Sequence, residues 1–180
     1  MEMQQDVTDE ELMRRLQQGQ MDAFEEIFSR YQARVLGLVR AVTGGRHDVE
    51  ALGQEAFLRL LKRADSYQYP KSFRTWFFTV VRHLCIDACR KKRPEDRAPA
   101  PEPVDHNDAL SQIIRSEQTA QLLDALGALP ESHREVVVLR AFQGCSYRAI
   151  SEIVGAGEAT VRSRMRYALN RLREQLIARG

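Results

Sequence analysis

The sequence predicts an all-α protein of two helical domains joined by a flexible linker, and three observations predict it. Apolar residues recur at three- and four-residue intervals along most of the chain, the period of helices packed on one face. Nowhere do they alternate as a strand or hairpin requires. Between them, from 93 to 108, the period gives way to PEDRAPAPEPVDHND, a run of Pro and acids that buries too little apolar area to fold alone. The chain therefore divides into a four-helix domain over 1–92, a flexible acidic linker over 93–108, and a smaller helical domain over 109–180.

Each element has its own signal. Thr8 followed by Glu11 has capping-box spacing and opens a short helix that runs to about Gln18, where Gly19 ends it. Asp22 and Glu25 repeat that signature before a long helix over about 23–43. There Phe24, Ile27, Phe28, Tyr31, Val35, Leu38 and Val42 form one apolar stripe, and Gly44 and Gly45 close it. Asp48 can cap a third helix that turns Leu52, Ala56, Phe57, Leu60 and Leu61 inward and runs out near Asp65. A turn-prone stretch, Ser66 to Pro70, precedes a fourth helix over about 72–90, with Trp76, Phe77, Val80, Val81, Leu84 and Ala88 buried.

In the second domain a helix over about 109–128 is followed by one that starts near Pro130 and ends around Phe142, where Gly144 breaks it. Ser146 then caps a short helix holding Ala149, Ile150 and Ile153. Gly155 and Gly157 make a tight turn, and a last helix runs over about 158–178. A short helix, a Gly turn and a basic helix together spell a helix-turn-helix.

Size and composition restrict what such a chain does. At 180 residues it has no room for a large enzyme barrel, and 43% hydrophobic against 29% charged residues describes a globular chain with a heavily charged surface. No apolar run approaches the roughly 18 residues of a membrane span. The acidic opening MEMQQDVTDEEL carries no signal-peptide pattern, so a cytoplasmic protein is expected. Cys85, Cys89 and Cys145 follow no disulfide framework, as expected for free thiols in a reducing compartment.

The net charge of +2 conceals strong segregation. The first segment, with Asp9, Glu10, Glu11, Asp22, Glu25 and Glu26, should present an acidic surface. Arg90, Lys91, Lys92 and Arg93 cluster mid-chain, and Arg162, Arg164, Arg166, Arg171, Arg173 and Arg179 crowd the end. Two basic patches suggest two contacts with a polyanion. In the last helix, about 100° per residue puts Val161, Met165, Ala168, Leu172 and Leu176 on one side. Arg162, Ser163, Arg166, Asn170 and Arg173 fall on another, where guanidinium and amide groups can meet phosphates and base edges. A basic helix alone is as well explained as a solvated face; the preceding helix and turn favour DNA.

The segment LPESHREVVVLRAFQGCSYRAISEIVGAGEATVRSRMRYALNRLREQL resembles region 4 of sigma-70 family sigma factors of the extracytoplasmic-function group. The resemblance rests on Leu129-Pro130, on Arg134 before the Val run, and on Ser146-Tyr147 opening the first motif helix. Thr160-Val161-Arg162-Ser163-Arg164 opens the recognition helix. Ala159 stands where Gly is usual and Tyr167 where a basic residue is usual. The resemblance implies minus-thirty-five promoter recognition by Ser146, Tyr147, Thr160, Arg162, Ser163, Arg164, Arg166, Asn170 and Arg173.

The first domain is similar to region 2 of the same group. DVEALGQEAFLRLLK resembles the helix that docks on the clamp of the polymerase largest subunit, with Asp48, Glu50, Gln54 and Glu55 at its polar positions; Ala51 and Gly53 depart from it. SFRTWFFTVVRHLCIDACRKKRP resembles the minus-ten recognition and melting segment, with Trp76, Asp87 and Arg90 at matching positions and His83 in place of Asn. Opening a duplex costs about 1 to 2 kcal/mol per stacked step, which capture of exposed bases must offset. Tyr67, Tyr69 and Lys71 offer stacking and phosphate contact, while Arg74, Arg82, His83, Arg90, Lys91 and Lys92 can follow the strand. Trp76 aligns with Val80 and Leu84 and reads as core.

The resemblance implies a non-enzymatic transcription initiation subunit whose partners are the polymerase core (largest-subunit clamp and flap), promoter DNA and an anti-sigma factor, with no small-molecule substrate and no cofactor. Such a partner would hold the protein at the inner membrane. The linker, with Glu95, Asp96, Glu102, Asp105 and Asp108, would thread the polymerase cleft as a nucleic-acid mimic or serve as a passive spacer. Two other readings stay open here: a dimeric helix-turn-helix regulator that works without polymerase, and a protein-binding adaptor. His83, Cys85 and Cys89 invite zinc, but residues two apart diverge around a helix, and Cys85 with Cys89 supplies only two ligands. No phosphate-cradling loop, HExxH or nucleophile elbow is present.

Overall fold

A computed structural model describes residues 7–91, 122 and 124–177, and among them every regular element is helical. The N-terminal domain comprises α1 (Asp9–Gln17), α2 (Met21–Thr43), α3 (Val49–Arg63) and α4 (Phe73–Lys91), with a 3-10 turn, Ala64–Ser66, after α3. The C-terminal domain comprises α5 (Glu131–Val137), which widens into a π-helical turn at Val138–Phe142, then α6 (Tyr147–Val154) and α7 (Glu158–Ile177). Residues 124–127 are helical, as expected for the end of the 109–128 element. Most of that element and the whole linker, 93–108, lie outside the described residues.

Side-chain caps start three of the helices where the sequence puts them. Thr8 Oγ1 accepts from the Glu11 amide at 3.2 Å, Asp48 Oδ1 from Ala51 at 2.9 Å and Ser146 Oγ from Ala149 at 3.1 Å. The second helix differs from expectation. It begins at Met21 with Gln20 at its N-cap and no side-chain cap. Asp22 lies inside the first turn, where it faces the positive helix end and pairs with Arg15 across the α1–α2 turn at 2.5 Å. Gly44 and Gly155 close α2 and α6 with φ of 65° and 66°, a conformation that favours Gly.

Around α2 the core is aromatic. The buried Tyr31 ring meets Phe73, Phe77 and Phe78 with centroids 5.2 to 5.9 Å away, and Phe77 also contacts Phe57 and Phe73 at 5.5 Å. Burial lifts the Tyr31 hydroxyl well above its ordinary pKa, so it stays protonated and donates to Asp9. Asp9 also accepts from Arg30, and Glu10 accepts from the Phe73 amide at 3.1 Å, tying α1 to the start of α4. These two acids are thus engaged with the fold rather than only decorating its surface. Trp76 is half-buried, 5.6 Å from Tyr67 and 6.1 Å from Phe73, in keeping with its reading as core.

Two expectations about burial fail at element edges. Leu176 is 39% exposed because the packed stripe of α7, Val161, Met165, Ala168 and Leu172, stops a turn earlier. Phe28, at 36%, lies at the rim of the α2 stripe against Phe57.

The two domains are not merely tethered. α5 packs on α2, α6 packs on α4, and one continuous apolar cluster runs from Leu12 through Phe77 and Leu139 to Leu172. Phe77 lies at the centre of the N-terminal part. Phe77→Ala should lower unfolding free energy by about 3 to 5 kcal/mol, measured by urea denaturation followed by helical circular dichroism.

Candidate nucleic-acid interface

On α7 the helical period delivers the expected row: Arg162, Ser163, Arg166, Asn170 and Arg173 are all exposed, opposite the buried stripe. Thr160 in its first turn is exposed, as is Ser146 at the start of α6. The half-buried Tyr147 ring has two guanidinium groups over it, Arg162 at 4.4 Å and Arg140 at 5.0 Å from its centroid. A cation held over an aromatic face loses part of its rotamer freedom before any ligand arrives. Arg162 also pairs with Glu158 at 3.4 Å. Arg140, which the sequence reading omitted, is fixed further by donating to the Cys145 carbonyl at 2.9 Å. The only sequence signal for it is its charge; its meeting with Tyr147 depends on the π-helical turn, which no periodicity announces.

Arg164 departs from the row. It is half-buried and its charge bears on His133 and Glu135 of α5, so it faces the domain interior side. Tyr167, 46% exposed, is braced by the His133 ring at 4.6 Å.

The turn between α6 and α7 is fixed locally. The Ser151 hydroxyl donates to the Ala156 carbonyl at 2.6 Å, directly after the left-handed Gly155. This sets the angle at which α7 leaves α6.

The described minus-ten residues divide in three. Tyr69 is 51% exposed with the Arg14 guanidinium 5.7 Å from its ring centroid, and Lys71, His83, Arg90 and Lys91 are exposed. Tyr67 differs: it is only 3% exposed, packs against Phe73 and Trp76, and donates its hydroxyl to the Lys71 carbonyl. It shapes the loop from beneath instead of offering a ring for stacking, because its apolar face completes the aromatic core. Arg74 and Arg82 are half-buried and turned to the C-terminal domain, Arg74 donating to the Gln143 carbonyl at 3.3 Å and Arg82 to Glu135 at 2.6 Å. Lys92 lies outside the described residues.

The expected polymerase-docking residues lie along α3. Glu50 and Gln54 are exposed and, with Phe28, Gln32, Leu36, Gly53 and Phe57, line a shallow depression between α2 and α3. Gly53 permits this close approach, since a Cβ there would come within 2.7 Å of Leu36 Cδ2. Asp48 spends its carboxylate on the α3 cap, and Glu55 pairs with Arg59, which also reaches Asp87 at 3.7 Å.

Among the described residues, no group of three or more His, Cys, Asp and Glu is placed to hold a metal ion. Nor is any described helix long and apolar enough to cross a membrane. Cys85 and Cys145 are buried; burial pushes the Cys85 thiol up to about 12 and raises that of Cys145. Cys89 is half-buried. Thiol-disulfide reagents should therefore label one thiol per folded chain rapidly, at Cys89, and the other two only on denaturation, as mass spectrometry of timed samples would show.

A helix-turn-helix with an arginine face is packed on an aromatic-cored domain that carries further exposed cations, an arrangement suited to meeting nucleic acid. Comparison with known sequences says which class of such proteins this is. Residues 27–95 match the family profile of sigma-70 region 2, and residues 119–172 that of sigma-70 region 4. The chain is 33% identical over 172 residues to the ECF RNA polymerase sigma factor SigE of Mycolicibacterium smegmatis, a match covering 88% of this chain but 63% of that protein. It is 29% identical over 178 residues to the ECF RNA polymerase sigma factor SigW of Bacillus subtilis, covering 91% and 94%. Its fold resembles that of the sigma factor RpoE of Bartonella quintana, solved with the anti-sigma factor NepR, with a TM-score of 0.66 at 22% identity over 87% of this chain and 97% of that one. The chain belongs to the sigma-70 family of RNA polymerase sigma factors, in its extracytoplasmic-function group. The comparisons support this reading and not that of a dimeric regulator acting without polymerase.

Proposed function

We propose that the protein binds RNA polymerase core and directs it to promoters in a stress or environmental response, contributing no catalytic step of its own. The observation that carries this is the pairing of two cationic faces on separate domains, matched in order to regions 2 and 4. Arg162, Ser163, Arg166, Asn170 and Arg173, with Thr160, Ser146 and Tyr147 at the entry end, read the minus-thirty-five duplex through its major groove. Tyr69, Lys71, His83, Arg90, Lys91 and Lys92, joined by Arg74 and Arg82, capture the non-template strand at the minus-ten element. Asp48, Glu50, Gln54 and Glu55, beside the α2–α3 depression, dock on the clamp of the largest polymerase subunit, while the C-terminal domain meets the flap.

The domain limits follow from this division: 1–92 for clamp and minus-ten contact, 93–108 for the linker, and 109–180 for the minus-thirty-five contact. The stimulus reaches it through its expression level or a sequestering partner. An anti-sigma factor is that partner, as it is for the Bartonella quintana sigma factor of similar fold. The protein then works in the cytoplasm and is held at the inner membrane when its anti-sigma factor is embedded there.

Run-off transcription with purified core on a promoter library tests the proposal, with the α7 arginines and the α4 cations neutralised separately. Each set should abolish promoter-specific product, and absence of core-dependent initiation from every template would refute the assignment. On a responsive promoter fragment, Arg166→Gln should weaken binding by the holoenzyme and reduce the slope of log affinity against log salt by about 0.9 if Arg166 neutralises one phosphate. An unchanged slope would remove Arg166 from the contact.

A further inference from the structure

The residues assigned above to the minus-thirty-five duplex leave an exposed aromatic side chain of α7 unused. Tyr167 stands one turn beyond Ser163 and one turn before Asn170, which puts it on the flank of the arginine row that looks toward α5. The row runs from Arg162 to Arg173, about 16 Å of helix at 1.5 Å per residue, and Tyr167 lies near its middle. Although Tyr167 is 46% exposed, its ring is not loose: the His133 ring of α5 packs against it with centroids 4.6 Å apart. His133 is itself held, its Nδ1 lying 3.3 Å from the Ser132 hydroxyl. Burial and the charge of Arg164 hold His133 below its ordinary pKa, so at neutral pH the brace is an uncharged ring.

We infer that Tyr167 determines specificity within the minus-thirty-five contact: its ring packs on the C5 methyl group of a thymine, and His133 is the positioning residue that holds it there. This rests on the α7 assignment proposed above. In the major groove the thymine methyl is the apolar feature that a base presents, and apolar side-chain surface is what meets it. The basic side chain usual at this place in the family would instead donate to guanine O6 and N7. The Tyr167 ring cannot make that bidentate pair. At one step of the element the chain therefore replaces a guanine reader by a thymine reader, with Arg162 and Arg166 left to the rest of the row.

The brace is what makes the ring selective. An exposed aromatic side chain on a helix is shared among rotamers, and fixing it on binding costs affinity for whichever base it meets. His133 removes part of that cost before DNA arrives by holding the ring against α5. Packing on His133 alone does not account for the residue, because nearly half of it stays open on a face where Ser163 and Asn170 are exposed too. Tyr167 brings no positive charge, so it contributes to the choice of sequence and not to the salt-dependent part of binding.

The experiment uses the full chain assembled with polymerase core on promoter duplexes randomised across the minus-thirty-five element, with bound and transcribed fractions sequenced. The wild-type holoenzyme should prefer thymine at one position. Replacing that thymine by deoxyuridine, which removes only the methyl group, should weaken binding about fourfold, the ratio that burial of one methyl group supports. Tyr167→Ala should abolish the difference between thymine and deoxyuridine, Tyr167→Phe should keep it, and Tyr167→Arg should move the preference to guanine at the same position. His133→Ala should reduce the thymine-to-deoxyuridine ratio and His133→Phe, which restores a ring, should recover it. A merely structural His133 would lower binding to both templates alike and leave the ratio intact, which would remove its positioning role. Circular dichroism checks that each variant folds. A wild-type holoenzyme indifferent to deoxyuridine at every position, or a Tyr167→Ala variant that discriminates as the wild type does, would overturn the thymine contact and leave the α7 assignment standing. Failure of the wild-type chain to initiate from any template overturns the sigma-factor assignment and the thymine contact with it.

Discussion

The constraint on which the structure depends is the packing of other helices around α2, most completely at its C-terminal end. Its 23 residues pack against α1, α3 and α4 within the N-terminal domain and against α5 from the other, so apolar side chains are needed on most of its circumference toward the C-terminal end. Leu38, Val39, Ala41, Val42 and the hydrogen-bonded Thr43 supply them. Near its start one stripe suffices, and there Ile27, Tyr31 and Val35 meet the aromatic side chains of α4. The exposed cationic faces are held at one or two removes from this helix: α4 directly, and α6 with α7 through α4 and α5.

That arrangement explains which features were legible in the sequence. Helix starts at Thr8, Asp48 and Ser146 rest on an oxygen three residues before the amide it satisfies, a local rule that needs no knowledge of the fold. The α7 face was equally legible, since its buried stripe and its arginine row both obey one period. Arg82 obeys that period too, yet its fate does not follow from it. What removes it from the surface is Glu135, fifty-three residues on in another domain, and a buried glutamate looks in sequence like any acid near a helix start. Tyr67 illustrates the same limit, as a loop tyrosine among polar neighbours whose burial is decided by Phe73 and Trp76.

Polar groups at the seam also account for how two domains can share a core without fusing into one. An apolar interface alone would gain steadily with area and offer no preferred register. The crossing bonds of Arg82, Arg134 and Gln143 demand particular partners, so only one docking satisfies them. Burial pushes the Glu135 carboxyl pKa upward despite the adjacent Arg82, which means desolvation outweighs attraction at this site. The pair specifies geometry more than it adds stability.

The cost of that geometry falls on the residues with the most to give elsewhere. A guanidinium is an unselective partner: the planar fork that matches a carboxylate matches a phosphate equally well. Arg82 against Glu135 is therefore in the same chemical situation as Arg82 against a DNA strand, with the carboxylate standing in for the phosphodiester. The Arg82–Glu135 pair therefore adds little by itself, and the balance rests on the apolar surface the two domains cover together. An interface of this composition takes its register from the polar contacts and its stability from the apolar residues around them.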